Sequence, residues 1–137
     1  MLSFVQSAED ILFLKNLYSD SIIMSKIENK KGMNKLDEIV LFSEFVMAAR
    51  GNLYNELDYP HDVVNAVKKT CHIAGEKSVL GSRILTSLLD SSIPSCSDLM
   101  DINYLYDIGY KRFMVGDDIC FDKEMLDRAI NIFKMMF

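Results

Sequence analysis

The chain has 137 residues, 50% of them hydrophobic, and a formal net charge of −5, which supplies enough apolar material for one packed domain over residues 1–137 and argues against disorder. The acidic charge is mild and dispersed, and no basic stripe is present to neutralise a phosphate backbone, so no nucleic acid is expected as the main partner. No apolar run approaches the ~20 residues that cross a bilayer, and no basic leader precedes an apolar stretch, so the expectation is no membrane association and a cytoplasmic location.

In chain order, Ser7-Ala8-Glu9-Asp10 has the form of a helix start, with Ser7 as cap and Asp10 closing a box, followed by Ile11, Leu14 and Leu17 or Tyr18 on one face. Ser21 to Lys26 is an apolar run of strand length, and Asn34 and Asp37 then open a second helix carrying Leu36, Ile39 and Val40. Phe45 to Arg50 reads as the next strand. Pro60 and Asp62 start a third helix with Val63, Val64, Val67 and Cys71 in its stripe and Gly75 as its stop. Ser78 to Ser82 is a third strand, after which Ser97 opens a helix with Leu99, Ile102 and Leu105 inward and Gly109 at its end. Phe113 to Gly116 is the last strand, and Asp122 opens the last helix, striped by Leu126, Ala129, Ile130 and Phe133. Cys71, Cys96 and Cys120 form no C-x-x-C pair, so neither a zinc site nor a disulfide framework is expected.

Strand starts recur at intervals of about 24 to 35 residues with no Gly/Ser-rich or Pro-rich linker between them, the length of a strand-helix repeat whose parallel strands need a crossover helix. The spacing therefore predicts an α/β fold. An open doubly wound sheet and a piece of a closed barrel use the same unit, and periodicity fits both.

The turns after these strands carry a family likeness. Ser3-Phe4-Val5-Gln6-Ser7-Ala8-Glu9-Asp10 is similar to S-F-V-R-S-A-E-D of the pyruvate kinase family, Ser25-Lys26-Ile27-Glu28-Asn29 to its A-K-I-E-N, and Ala49-Arg50-Gly51-Asn52-Leu53 to its A-R-G-D-L. Gly81-Ser82-Arg83-Ile84-Leu85-Thr86-Ser87 stands where that family has A-T-Q-M-L-E-S, Pro94-Ser95-Cys96-Ser97-Asp98 parallels P-T-R-A-E, and Met114-Val115-Gly116-Asp117-Asp118 parallels M-L-S-G-E. Single echoes of this length recur by chance, but six in family order do not. The resemblance implies parallel βαβ repeats equivalent to about half of a TIM-type (β/α)8 barrel. It runs from the end of the family's fourth strand to the helix after its eighth, incomplete as a single chain, with the earlier strands, the lid domain and the C-terminal domain absent.

The same resemblance implies roles. Lys26 would stabilise charge on a transferring phosphoryl group, and Ser82 would keep the hydroxyl that the family supplies as Thr, for a hydrogen bond to substrate or a proton relay. Gly51, Asn52 and Ser82 would bind substrate. Glu28 and Asn52 would be the metal ligands, but the family has Asp where Asn52 stands, and an uncharged amide suits Mg²⁺ poorly, so the expected cofactor is Mg²⁺ bound weakly or not at all. Gln6 and Cys96 replace family arginines, Arg83 replaces a Gln, and Asp117 adds a carboxylate at the last strand end. His61 and His72 match no family site position, and the nine methionines read as flexible core filling.

The expectation is thus a pyruvate kinase-like domain, derived from an Mg-dependent phosphoryl transferase acting on phosphoenolpyruvate and ADP. It would be inactive alone or in need of a complementing half, with a non-catalytic pseudoenzyme scaffold that binds a ligand or partner as the alternative. A ketoacid aldolase fits the motifs less well. Partners expected are a phosphoenolpyruvate- or pyruvate-like small molecule and either further copies of the chain, as a homo-oligomer, or a complementing subunit, because half a barrel leaves an apolar face and two strand edges to cover.

Overall fold

The computed structural model describes residues 1–137 and contains one sheet of four strands in the order β1-β2-β3-β4. These are β1 (Met24–Ile27), β2 (Phe45–Ala49), β3 (Ser78–Gly81) and β4 (Phe113–Met114). Every pairing is parallel: Lys26 stands level with Met47 and Met47 with Val79, while Gly81 faces Ala49 on one side and Met114 on the other. Helix α1 (Ala8–Leu17) precedes β1; α2 (Lys30–Asn34) and α3 (Leu36–Phe42) lead to β2; α4 (Arg50–Glu56) and α5 (Pro60–Ala74) lead to β3; α6 (Cys96–Asp107) leads to β4, and α7 (Asp117–Cys120) and α8 (Lys123–Met136) follow. Spatial order equals chain order, without the reversal that marks a doubly wound sheet, so the repeats form a stretch of barrel wall. β1 and β4 do not pair with each other, and the sheet is open.

A stub of one more strand lies outside β1. Leu2 makes a parallel bridge to Ser25, its N–H donating to the Met24 carbonyl at 2.9 Å and its carbonyl accepting from Lys26 N–H at 2.9 Å. Side chains alternate across a strand, and here the two faces differ. Ile27, Val46, Ala48 and Leu80 join Ile11, Ile39, Val63, Val67 and Leu105 from the helices in a core of 25 buried residues, each large aliphatic contributing about 1.5–3 kcal/mol. The opposite face carries Lys26, Met47, Val79 and Gly81. Met47 is fully buried because it lies across Gly81, where an added Cβ would come within 2.5 Å of the Met47 sulfur. Met33 and Met47 are core filling as expected, whereas Met1, Met100 and Met135 are more than 70% exposed.

Several boundaries differ from the sequence reading for local reasons. The first strand begins at Met24 rather than Ser21, because the Glu44 carboxylate takes the Ile23 N–H at 2.7 Å and ends the ladder there. Asn34 does not open the second helix: Asn29 caps α2 by accepting from Gly32 N–H at 2.9 Å, and Lys35, at φ −108° and ψ 16°, separates α2 from α3. Ser95, not Ser97, caps α6 by accepting from Asp98 N–H at 3.1 Å. Arg50 belongs to α4 and not to β2, and α4 itself was not foreseen. In α5 the buried stripe includes Ala66, Thr70 and Ala74 while Val64 is exposed, and in α8 Ile132 takes the inward place expected of Ile130. Beyond Ile11 and the half-buried Leu14, α1 turns Leu17 and Tyr18 to solvent. The stop at Gly75 (φ 52°), the turn at Gly109 (φ 121°) and the Asp122 cap, which accepts from Met125 N–H at 3.0 Å, fall where expected. No helix is long and apolar enough to cross a membrane.

Candidate functional site

The candidate residues sit at the carboxyl ends of adjacent parallel strands. Lys26 is in β1 and Glu28 follows it by two residues, so both leave the same face of the strand. Their side chains meet, Lys26 Nζ to Glu28 Oε1 at 3.0 Å, with the carboxylate 1% exposed and the lysine 21%. Asn52, in the first turn of α4, donates Nδ2–H to the same Oε1 at 2.5 Å. The Phe4 N–H, from the strand stub, donates to Oε2 at 2.6 Å. Phe4 holds a left-handed φ of 52°, which turns its N–H toward the carboxylate. Lys26 Nζ also donates to Ser3 Oγ at 3.4 Å.

Gly51 and Ser82 form the second half of the constellation. An added Cβ at Gly51 would lie 3.5 Å from both Cβ and Oγ of Ser82, ordinary contact, so glycine here keeps the space over the serine hydroxyl open. The positive backbone angles that a glycine would favour fall instead on Ser82 (φ 70°), Arg83 (φ 56°) and Leu85 (φ 53°). Such conformations cost about 1–3 kcal/mol each for residues with a side chain and persist only where neighbours hold them.

Arg50 is what holds this segment, and its importance was not foreseen. The guanidinium is 14% exposed. Nε and Nη2 donate to the Ser82 carbonyl at 3.2 and 3.0 Å, Nη2 donates to the Arg83 carbonyl at 2.8 Å, and Nη1 reaches both oxygens of Asp101 in α6 at 2.9 and 2.8 Å. One planar fork thereby fixes the ends of β2 and β3 against α6. The signal available in the sequence was Arg50 beside Gly51 with an acid at Asp101, a pairing across 51 residues that spacing does not reveal.

The remaining singled-out residues lie elsewhere. Arg83 rests over the Tyr54 ring at 4.7 Å. Asp117 and Asp118, exposed in α7, line a cleft of about 370 Å³ with Ser82, Arg83, Thr86 and Met114. Cys96 is exposed at the start of α6, and the Gln6 N–H donates to Asp10 Oδ2 at 2.8 Å. His61 stacks on Tyr59 at the surface and His72 is exposed on α5, both apart from the strand ends.

A divalent cation at this group would depend on its donor set. Glu28 is the one carboxylate of the group, both its oxygens already accept from N–H donors, and Asn52 turns its amide nitrogen toward it. No three His, Cys, Asp or Glu side chains come together anywhere in the chain. Mg²⁺ requires several oxygen ligands in an octahedron, and the group as arranged does not fit it. It is a self-neutralised ion pair with a serine hydroxyl at its flank.

Comparison with known proteins places the chain within one family. The profile described as "Pyruvate kinase, barrel domain" matches residues 1–111, which include all five candidate residues. The pyruvate kinase of Thermoplasma acidophilum is 38% identical over 108 residues, covering 74% of this chain and 20% of that protein. That of Agrobacterium vitis is 33% identical over 105 residues, 74% of this chain and 22% of that protein, and pyruvate kinase 2 of Saccharomyces cerevisiae is 32% identical over 107 residues, 73% and 21%. The chain spans about one fifth of the length of these curated relatives. The echo at Met114 to Asp118 lies beyond the matched segment.

Proposed function

We propose, from the premise that this chain belongs to the pyruvate kinase family, that it is a pyruvate kinase-like domain whose strand-end group binds a phosphoenolpyruvate- or pyruvate-like anion. The 137 residues do not transfer phosphate to ADP by themselves. Lys26 supplies the positive charge, Ser82 Oγ a hydrogen bond to the ligand carboxylate, and Gly51 and Asn52 the floor of the site. The observation that carries the reading is the meeting of Lys26, Glu28 and Asn52, with Gly51 against Ser82, at the carboxyl ends of three parallel strands. In parallel barrels that end is where chemistry is done. Dependence on Mg²⁺ is weak or absent, for the reason given by the donor set. The open sheet is covered in the cell by a further copy of the chain or by a complementing segment, and the location is cytoplasmic.

The test is titration of the chain with phosphoenolpyruvate, pyruvate and ADP by calorimetry, alongside a coupled assay for pyruvate formation. Phosphoenolpyruvate binding without turnover is expected, with binding lost in Lys26→Met and weakened in Ser82→Ala. Absence of binding, or binding that both variants leave unchanged, would remove the reading. A second reading, a scaffold that binds a protein partner only, is favoured by the replacements at Gln6, Asn52 and Cys96, and the same titration separates the two.

A further inference from the structure

We infer that Asn52 has taken the place of a metal ion: its amide donates to the Glu28 oxygen that also pairs with Lys26 and makes the strand-end group independent of divalent cations. The geometry argues this in three steps. First, Asn52 Nδ2 is 2.5 Å from Glu28 Oε1, so an aspartate in the same place would set two carboxylate oxygens against each other in a partly buried pocket. Like charges that close cannot both persist without a cation between them or a proton on one. An amide removes that requirement, since its N–H donates where the carboxylate would repel.

Second, the charge already balances. Lys26 and Glu28 sum to zero at 3.0 Å, and Glu28 Oε1 serves both Lys26 and Asn52 while Oε2 serves the Phe4 N–H. A cation on either oxygen must displace a donor and then stand beside the lysine ammonium. Third, the amide orientation follows from chemistry, because the flipped form would point Oδ1 at the carboxylate. The site that results keeps a fixed ammonium and a hydroxyl for an anionic ligand with no metal bridge. This deepens the function proposed above and rests on its placing of the site at the strand ends.

The experiment crosses three forms of the chain, wild type, Glu28→Gln and Asn52→Asp, with chelator, Mg²⁺ and Mn²⁺, reading thermal midpoint and Mn²⁺ occupancy by electron paramagnetic resonance. Wild type should have the same midpoint in all three media, with a Mn²⁺ signal no different from that of Glu28→Gln. Asn52→Asp should melt a few degrees lower in chelator and regain its midpoint with Mg²⁺ or Mn²⁺. Saturable Mn²⁺ binding by wild type that Glu28→Gln abolishes overturns the inference. So does an Asn52→Asp chain that is as stable as wild type in chelator, or that neither cation rescues. Phosphoenolpyruvate titrated in chelator keeps the two ideas apart: metal binding at Glu28 sinks this one alone, whereas failure of wild type to bind phosphoenolpyruvate in any of the three media sinks the functional reading and leaves the metal result standing.

Discussion

The Glu28 carboxylate sits in a place that is 1% exposed, and its three N–H donors are the reason it can stay there. Removing Lys26 while leaving the carboxylate should be costly, because an uncompensated buried charge destabilises by about 3–5 kcal/mol. Asn52 and the Phe4 N–H remain, so Lys26→Met is expected at the lower end, about 3 kcal/mol. The double variant Lys26→Met, Glu28→Gln should recover most of that, since neither charge is then buried alone. Urea midpoints of the two variants and wild type measure the difference; equal loss in both would mean that the ion pair is not what stabilises the pocket. At this scale the sequence was partly legible. The i, i+2 placement of Lys26 and Glu28 forced them onto one face, and the family motif supplied Gly51, Asn52 and Ser82. Arg50 was hidden because its partners, Ser82, Arg83 and Asp101, come from two other elements, and Phe4 was hidden because its part is played by backbone.

Among the elements, the joint between α1 and the entry to β1 depends on Glu44. Its carboxylate takes Lys15 Nζ at 2.5 Å and the Ile23 N–H at 2.7 Å. Partial burial pushes the carboxyl up, but the hydrogen bonds from Lys15 and Ile23 outweigh it and hold it below the usual 4.5. A carboxyl whose folded value lies below its unfolded one adds stability that is fully present above the unfolded value and is lost as pH falls through the folded one. The stability difference between wild type and Glu44→Gln should therefore be present near neutral pH and close progressively on acidification below about pH 4.5. Urea unfolding at a series of pH values reads it, and a constant difference down to strong acid would exclude Glu44 as the source. Tyr110 illustrates the contrary case: burial drives its hydroxyl far above the ordinary tyrosine range, and the O–H donates to the Val67 carbonyl at 2.8 Å. The long elements could be read from sequence because α5 and α8 each carry a capped apolar stripe. Helices α2, α4 and α7 have four to seven residues, too few for a period of 3.6 to show.

For the whole molecule, the question is what closes the sheet. Its two flanks differ: the stub at Leu2 lies along β1, while β4 has only two residues. Beside β4 lies a cleft of about 390 Å³ lined by Tyr106, Phe113, Phe133 and Phe137, with Lys111 and Lys134 among its walls. Open strand edges next to apolar surface favour association. If further copies cover them, sedimentation at micromolar concentration should give a mass that is a multiple of 15.7 kDa. A monomer at every concentration would rule out further copies as the cover. Parallel order was legible because fully buried strands read as short apolar runs between polar turns. Openness was legible too, since four strands are half of what a barrel of this kind needs.

The first residues of the chain are not a loose tail, since Phe4 stands one N–H away from Glu28 and Leu2 is laced to the edge of β1. A purification tag, a fluorophore or a proteolytic nick at that end thus acts on the surroundings of Glu28 directly. Probes intended to be silent belong on the exposed surface of α5, at a position such as Asn65, rather than at Lys68, whose ammonium lies over the Tyr104 ring.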